Sequence, residues 1–506
     1  MDQDTIYQRR WGTLVVLCFS LLVIGLDNTI LNVALPTLSK DLHATISGLQ
    51  WIVDAYTLVF AGLLLTAGLV IFGIGSVLSA FSGSTGVLIS TRALMGVGGA
   101  LIMPATLSIL TNTFLDPRER AKAIGIWAGV SGMGIAIGPV VGGWLLQNFW
   151  WGSVFLVNVP VVIIAIVSGR FLVAESRDPS KPKLDPVGAL LSITGLTALL
   201  WAIIEAPSHG WASTSIMIAF FIAAVILTAF VTWELHSDHP MLDVRFFKNP
   251  RFTAASSAVT LVFFALFGSL FLITQYLQNV RNYTALQAGL RMAPVALMLM
   301  ISAPASSGLV QRFGSKVVVA TGLVLAAVGL ALFATLQVHT GYERVLLAIL
   351  ILGLGMGLTM APATDSIMGS LPRAKAGVGS AVNDTTRQVG GALGVAILGS
   401  ILSSAYTSRM TTALSGHAVP PAAASAAKNS IGGALAVAGA AGGAAGQALG
   451  AAARSAFVAG MHPAVLAASA VALVGALIVI VFLPARAARV PADLPEPVTG
   501  LQPATA

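Results

Sequence analysis

Charge is scarce in this chain: of 506 residues, only 9% are Asp, Glu, Lys or Arg, against 56% hydrophobic. A water-soluble protein of this length needs far more charge to cover its surface, so a soluble globular fold is excluded. Tyrosine is scarce too, at six residues. The apolar stretches run unbroken in Leu, Val and Ala and do not alternate, which excludes a porin-type barrel. The single cysteine, Cys18, allows no internal disulfide, and its apolar neighbours mark it as inert packing. No His or Cys cluster suggests a metal, and no soluble segment is long enough for an enzyme domain. "GVGGAL" (Gly96 to Leu101) lies inside an apolar run and lacks the lysine and strand of a nucleotide loop. No cofactor, metal or catalytic residue is therefore expected.

Apolar windows near 20 residues are abundant, and they define an all-α integral membrane protein. They fall at 12–35, 51–68, 69–82, 86–107, 123–146, 152–173, 187–204, 214–235, 252–278, 288–310, 317–338, 345–366, 378–402 and 463–484, fourteen spans in all. The net charge of +8 would point to nucleic acid in a soluble protein, but here the basic residues lie between spans. Arg9 and Arg10 precede a first span too long for a signal-peptide core, with no small-residue cleavage site after it. With the N-terminus inside and fourteen crossings, eighteen Lys and Arg fall in inner segments and seven in outer ones, with Arg92 and Arg387 within spans.

One stretch resists this scheme. "FAGLLLTAGLVIFGIGSVLSAF" (60–81) carries no charge, and the 32 residues from 51 to 82 must cross twice. A single crossing would invert everything after it and leave only eight Lys and Arg inside. Yet a helix of that length reaches about 48 Å, whereas two crossings need about 60 Å plus a turn. An internal repeat locates the gap. Ser306 to Ala334 joins two spans through a basic turn with Gly308, Arg312, Gly314 and Lys316, and Ala67-Gly68-Leu69-Val70 matches its Thr321-Gly322-Leu323-Val324. The counterpart of that turn, about 14 residues, is missing, and the break between spans is expected at Gly68-Leu69.

Four motifs in order carry a resemblance. The first span holds "LDNTILNVALP" (Leu26 to Pro36) and the fourth "RALMGVGGALIMPA" (Arg92 to Ala105). The fifth holds "GVSGMGIAIGPVVGG" (Gly129 to Gly143), and "GVGSAVNDTTRQVGGALGVAILGS" (Gly377 to Ser400) comes late. Together they resemble the fourteen-helix drug:proton antiporter branch of the major facilitator superfamily over nearly the whole chain. The resemblance implies two six-helix bundles plus two extra central helices. It implies export of hydrophobic, often cationic compounds in exchange for protons, driven by an ion gradient and not by ATP. The family's Gly-x-x-x-Asp-Arg-x-Gly-Arg-Arg/Lys loop between helices two and three, which gates the cytoplasmic side, is absent here.

The candidate residues are few. Asp27 lies about 12 Å from the outer end of the first span. A membrane-buried carboxylate suggests a proton or substrate site, against a structural acid bonded to Asn28 or Asn32. Arg92 lies at a similar depth, so the two can meet; it modulates a neighbouring acid or snorkels outward. Gly134, Gly138 and Gly142 recur every four residues, with Pro139 and Gly143 beside them. They form a packing stripe that the resemblance makes a conformational hinge. Asp384 and Arg387, three apart, can pair on one helix face, for structure or for coupling. Asp54 is a minor candidate near the outer end of the second span. Asp365 and Glu205 read as solvated helix ends. Phe263, Phe264, Phe267, Phe271 and Tyr276 stack on flat cations or face lipid.

The expected divisions are 1–173 for the N-terminal bundle, 174–251 for the extra helices and linkers, and 252–484 for the C-terminal bundle. An Ala/Gly-rich outer loop, 403–462, forms a loosely packed hairpin or helix, or is disordered. Residues 485–506 read as a disordered cytoplasmic tail. The expected partners are small lipophilic substrates, protons and the bilayer, with no nucleic acid, and the chain is taken as a monomer. Its expected place is a bacterial cytoplasmic membrane with both termini inside. Two other readings stay open: export of a dedicated metabolite or lipid, and a transport-impaired scaffold or sensor that has lost its gating loop.

Overall fold

The computed structural model of the chain describes residues 3–42, 45, 48–50, 52, 65–113, 117–172, 185–237, 240, 242, 244–371, 376–415 and 419–484. Within them every regular element is helical. In a bilayer this follows from hydrogen bonding, since a helix satisfies its backbone groups within one segment. The N-terminal half holds α1 (Gln3–Asp41), α2 (Leu65–Ala80), α3 (Thr85–Thr113), α4 (Pro117–Asn148), the single-turn α5 (Ser153–Leu156) and α6 (Asn158–Leu172). The next two are α7 (Pro186–His209) and α8 (Thr214–His236). The C-terminal half holds α9 (Pro250–Gln275, continued by a π-helical turn over Tyr276–Val280), α10 (Ala285–Phe313), α11 (Ser315–Phe333), α12 (Tyr342–Met368) and α13 (Ala376–Leu414). It closes with α14 (Pro421–Asn429), α15 (Ile431–Ala441) and α16 (Gly443–Phe482).

Eleven helices among the described residues are long and apolar enough to cross a membrane. The described part of helix α2, 16 residues, covers about 24 Å. The second predicted span, 51–68, lies largely outside the described residues, as does Asp54. The expected break at Gly68-Leu69 does not occur: α2 runs through it without interruption. The reason is tertiary. A Cβ on Gly68 would lie 2.8 Å from the carbonyl oxygen of Gly98 on α3, so this glycine lets two backbones touch instead of ending a helix. The C-terminal half keeps its tight turn. Gly314, with φ 84° and ψ 158°, is the sole residue between α10 and α11, a backbone conformation that glycine alone adopts freely.

Helices α1 to α6 pack on one another, as do α9 to α13 with α16. Helix α7 joins α8 to the second bundle through Leu200, Ile203 and Ile204 against Ala392 and Ala396 of α13. Helix α8 turns Met217, Ile218, Phe221 and Val225 outward, an apolar surface suited to lipid. Segment 403–462 is neither loose nor disordered in its described part. Helix α13 continues to Leu414, and α14, α15 and the first half of α16 follow. Ala427, Ile431 and Ala434 are buried in the main core, and Tyr406 Oη donates to the Ala427 carbonyl at 2.9 Å. Alanine favours helix, and small side chains let the helices approach closely.

Candidate functional site

Asp27 and Arg92 meet. Asp27 sits within α1 and Arg92 within α3, and their side chains are 0% and 1% exposed. One guanidinium nitrogen, Nη1, donates to Asp27 Oδ2. Arg92 Nε donates to the Ile52 carbonyl at 3.4 Å, and the Phe155 ring centroid lies 5.8 Å from Cζ. Arg92 therefore does not snorkel to an interface. From α6, Asn158 Nδ2 donates to Asp27 Oδ1 at 3.2 Å and lies 3.5 Å from Ser76 Oγ of α2. Both carboxylate oxygens are thus held by donors. Two opposite charges buried together offset most of each other's desolvation cost, whereas either one alone costs several kcal/mol.

The arrangement extends from the pair to α4. Thr29, two residues beyond Asp27, donates to the carbonyls of Leu26 and Gly134, each at 3.3 Å. A Cβ on Gly138 would collide with Thr29 Oγ1, and one on Gly142 with Ile30 Cγ1. The opposite face of α4 meets the second bundle. Gly143 abuts Ala285 and Leu286 of α10, and Gly289 of α10 abuts the Pro139 carbonyl. The glycine stripe is thus a two-sided contact: Gly134, Gly138 and Gly142 toward α1, Pro139 and Gly143 toward α10. Beside it, a small cavity between the bundles is lined by Thr29, Asn32, Val33 and Pro139 on one side and by Leu266, Leu270, Thr274, Met292, Val295 and Ala296 on the other.

Hydrogen bonds between the bundles cluster near the end of α1 that carries Val33. Gln50, fully buried, donates through Nε2 to the carbonyls of Val395 (3.2 Å) and Ala396 (2.8 Å). Gln278 donates to the Val33 carbonyl at 2.9 Å. The far end of the N-terminal bundle is held within itself: Arg10 pairs with Glu119 at 3.0 Å, and Arg9 donates to the Phe171 carbonyl at 2.7 Å.

Asp384 and Arg387 behave differently. They form no ion pair within 4.0 Å. Arg387 Nη2 donates instead to Thr364 Oγ1 of α12 at 3.2 Å, and its Cζ lies 5.4 Å from the Phe263 ring centroid. Asp365 is exposed at the end of α12. Glu205 approaches His209 at 3.7 Å at the end of α7. Of the α9 aromatics, Phe263, Phe264, Phe271 and Tyr276 are buried and Phe267 half-buried, so none forms a lipid face. Sequence reasoning missed Asn158, Ser76 and Gln50. Asn158 left a signal, a lone amide in the apolar "FLVNVP", whereas Gln50 left none because its partners lie about 350 residues away.

Two bundles of membrane-length apolar helices, with a buried acid–base pair inside one and a small cavity where they meet, have the architecture of a multi-pass membrane transporter. The chain belongs to the Major Facilitator Superfamily, whose family model matches residues 17–395. It is 38% identical to the multidrug efflux pump LfrA of Mycolicibacterium smegmatis over 407 residues, 78% of this chain and 81% of that one. It is 34% identical to the tetracenomycin C resistance and export protein of Streptomyces glaucescens over 408 residues, 77% of this chain and 76% of that one. Its fold is similar to the crystal structure of a bacterial homolog of the human lysosomal transporter Spinster, inward-facing and occupied. That likeness has a TM-score of 0.64 at 17% identity and covers 92% of this chain and 95% of that one.

Proposed function

We propose that the chain is a secondary exporter of hydrophobic and cationic drugs or other toxic compounds, driven by proton influx through alternating access. The observation that carries this reading is the buried Asp27–Arg92 pair, one helix turn from the contact between α1 and α4. Asp27 takes the proton, and Arg92 tunes it and loses that counter-charge when the proton arrives. The change passes through Thr29 to Gly138 and Gly142, and α4 transmits it to α10 across Pro139 and Gly143. Asp54 and Asp384 are secondary acids in this scheme.

The distribution of Lys and Arg supports cytoplasmic termini in a bacterial plasma membrane. In that orientation the hydrogen bonds at Gln50 and Gln278 close the outer side. The division into 1–173, 174–251 and 252–484 follows the two bundles and the intervening helices. Site and gate both lie within one chain, which supports a monomer. The test is efflux of ethidium from cells that express the chain. Export that a protonophore abolishes supports the reading, and ethidium retention equal to that of empty-vector cells contradicts it. Similarity to a tetracenomycin C export protein favours a second reading, a single dedicated product, which a substrate panel separates from broad efflux.

A further inference from the structure

From Leu69 to Ala80, helix α2 carries only two polar side chains, Ser76 and Ser79. They are three residues apart, and Ser82 follows at the same spacing, so the three hydroxyls fall near one face of the helix. That face points inward. Ser76 and Ser79 are fully buried and Ser82 nearly so, while Ile74, Val77, Leu78 and Phe81 are exposed on the other side. Close packing needs small side chains there, and alanine would supply them without a polar group. These hydroxyls are linked instead to the helices around them. Ser82 Oγ lies 3.5 Å from Thr91 Oγ1 of α3, and Ser79 Oγ donates to the same Thr91 oxygen at 3.0 Å. At the inner end Ser76 Oγ lies 3.5 Å from Asn158 Nδ2, which donates to Asp27 Oδ1 at 3.2 Å.

The polar file runs from the surface to the sealed acid. Next to Ser82, Gly83 and Ser84 are exposed, in the loop that the Lys and Arg distribution puts on the outer side. Thr91 is half-buried, and Ser79, Ser76, Asn158 and Asp27 beyond it are all 0% exposed. Ser82 and Thr91 also donate to the Leu78 and Leu88 carbonyls at 3.0 Å each, so at rest their protons point out of the file. Two steps have no direct bond. Ser79 and Ser76 are one helix turn apart, with Cβ atoms about 5–6 Å apart, a gap that one water spans. Ser76 and Asp27 flank one amide nitrogen, and Asn158 Oδ1 beside it is a buried acceptor without a hydrogen-bond partner, a fit for the water that joins them.

We propose that Ser82, Thr91, Ser79 and Ser76, ended by Asn158, form the path by which a proton from the outer side reaches Asp27. Each hydroxyl oxygen accepts one proton and passes its own to the next, with a water at the two open steps. The hydroxyls end unchanged and Asp27 gains one proton, while Asn158 keeps its protons and orients the last water. The path rests on the exporter reading, in which Asp27 takes the proton. Its test is ethidium uptake driven by a pH gradient into inverted membrane vesicles, whose acidic lumen is the outer side, beside ethidium binding to the purified full-length protein. In Ser79→Ala/Thr91→Val the initial uptake rate falls about tenfold, the scale of one hydrogen bond lost from the path, with ethidium affinity unchanged. The deficit shrinks as the lumen is acidified further, because proton delivery is the slow step, and Ser79→Thr, which keeps the hydroxyl, keeps the wild-type rate. Should the double variant not fold, the near-isosteric Thr91→Val alone shows a smaller deficit with the same dependence on luminal pH. A wild-type rate in these variants, or a deficit that luminal pH leaves unchanged, overturns the path alone. Wild-type vesicles that take up no ethidium under the gradient overturn the exporter reading, and the path with it.

Discussion

The two bundles each carry an aspartate and an arginine within their helices, buried in the first and half-buried in the second, and they hold them in different ways. In the N-terminal bundle Asp27 and Arg92 come from different helices, face one another, and are sealed at 0% and 1% exposure. In the C-terminal bundle Asp384 and Arg387 share one helix and do not touch; Arg387 is held by a threonine and a phenylalanine from other helices. The difference teaches what the sealed pair is suited for. A sealed pair stores a charge balance that one proton upsets, the requirement for coupling.

The largest expected effect breaks the sealed pair. Asp27→Asn removes a buried counter-charge from beside Arg92 and should cost about 3–5 kcal/mol of stability. Thermal melting in detergent checks this, with Arg92→Gln in the same chain restoring much of the loss. Asp384→Asn, which breaks no ion pair within 4.0 Å and removes only a longer-range attraction to Arg387, should cost less, about 1 kcal/mol. Next comes the path out of the sealed pair. Gly138→Val drives a side chain into Thr29 and should cost about 1–3 kcal/mol by overpacking, together with a large loss of ethidium efflux. Gly83→Ala, where a Cβ meets nothing within 4 Å, should leave melting and efflux unchanged.

Gln50 ties the two halves together. Gln50→Leu removes its hydrogen bonds to Val395 and Ala396 and should shift the conformational population about tenfold toward opening at that end. Electron–electron resonance between spin labels on α1 and α13 reads the change, in a Cys18→Ser background. The smallest effect sharpens the contrast: Asn158→Ala frees Asp27 Oδ1 and should cost about 1 kcal/mol, lowering efflux severalfold without abolishing it.

Much of this was legible in the sequence, for physical reasons. A membrane helix announces itself by continuous apolar composition, so thirteen of the predicted spans coincide with helices. Depth follows from rise per residue, which is why Asp27 and Arg92 could be matched before any contact was known. What was not legible depends on partners distant in the chain. The i, i+3 spacing of Asp384 and Arg387 permits a pair, but Thr364 and Phe263 capture the arginine from α12 and α9. Gly68 looked like a place to stop because nothing local says that Gly98 approaches it. The Ala/Gly composition of 403–462 matches disorder as well as tight packing, and burial of Ala427, Ile431 and Ala434 decides for packing.

The most direct test of the contrast between the bundles is proton-driven drug uptake into inverted membrane vesicles, compared between Asp27→Asn and Asp384→Asn at matched protein levels. The expected result is that a pH gradient drives ethidium into wild-type and Asp384→Asn vesicles, while Asp27→Asn vesicles take up no more than empty ones. Full gradient-driven uptake by Asp27→Asn would contradict the assignment of the sealed pair to coupling.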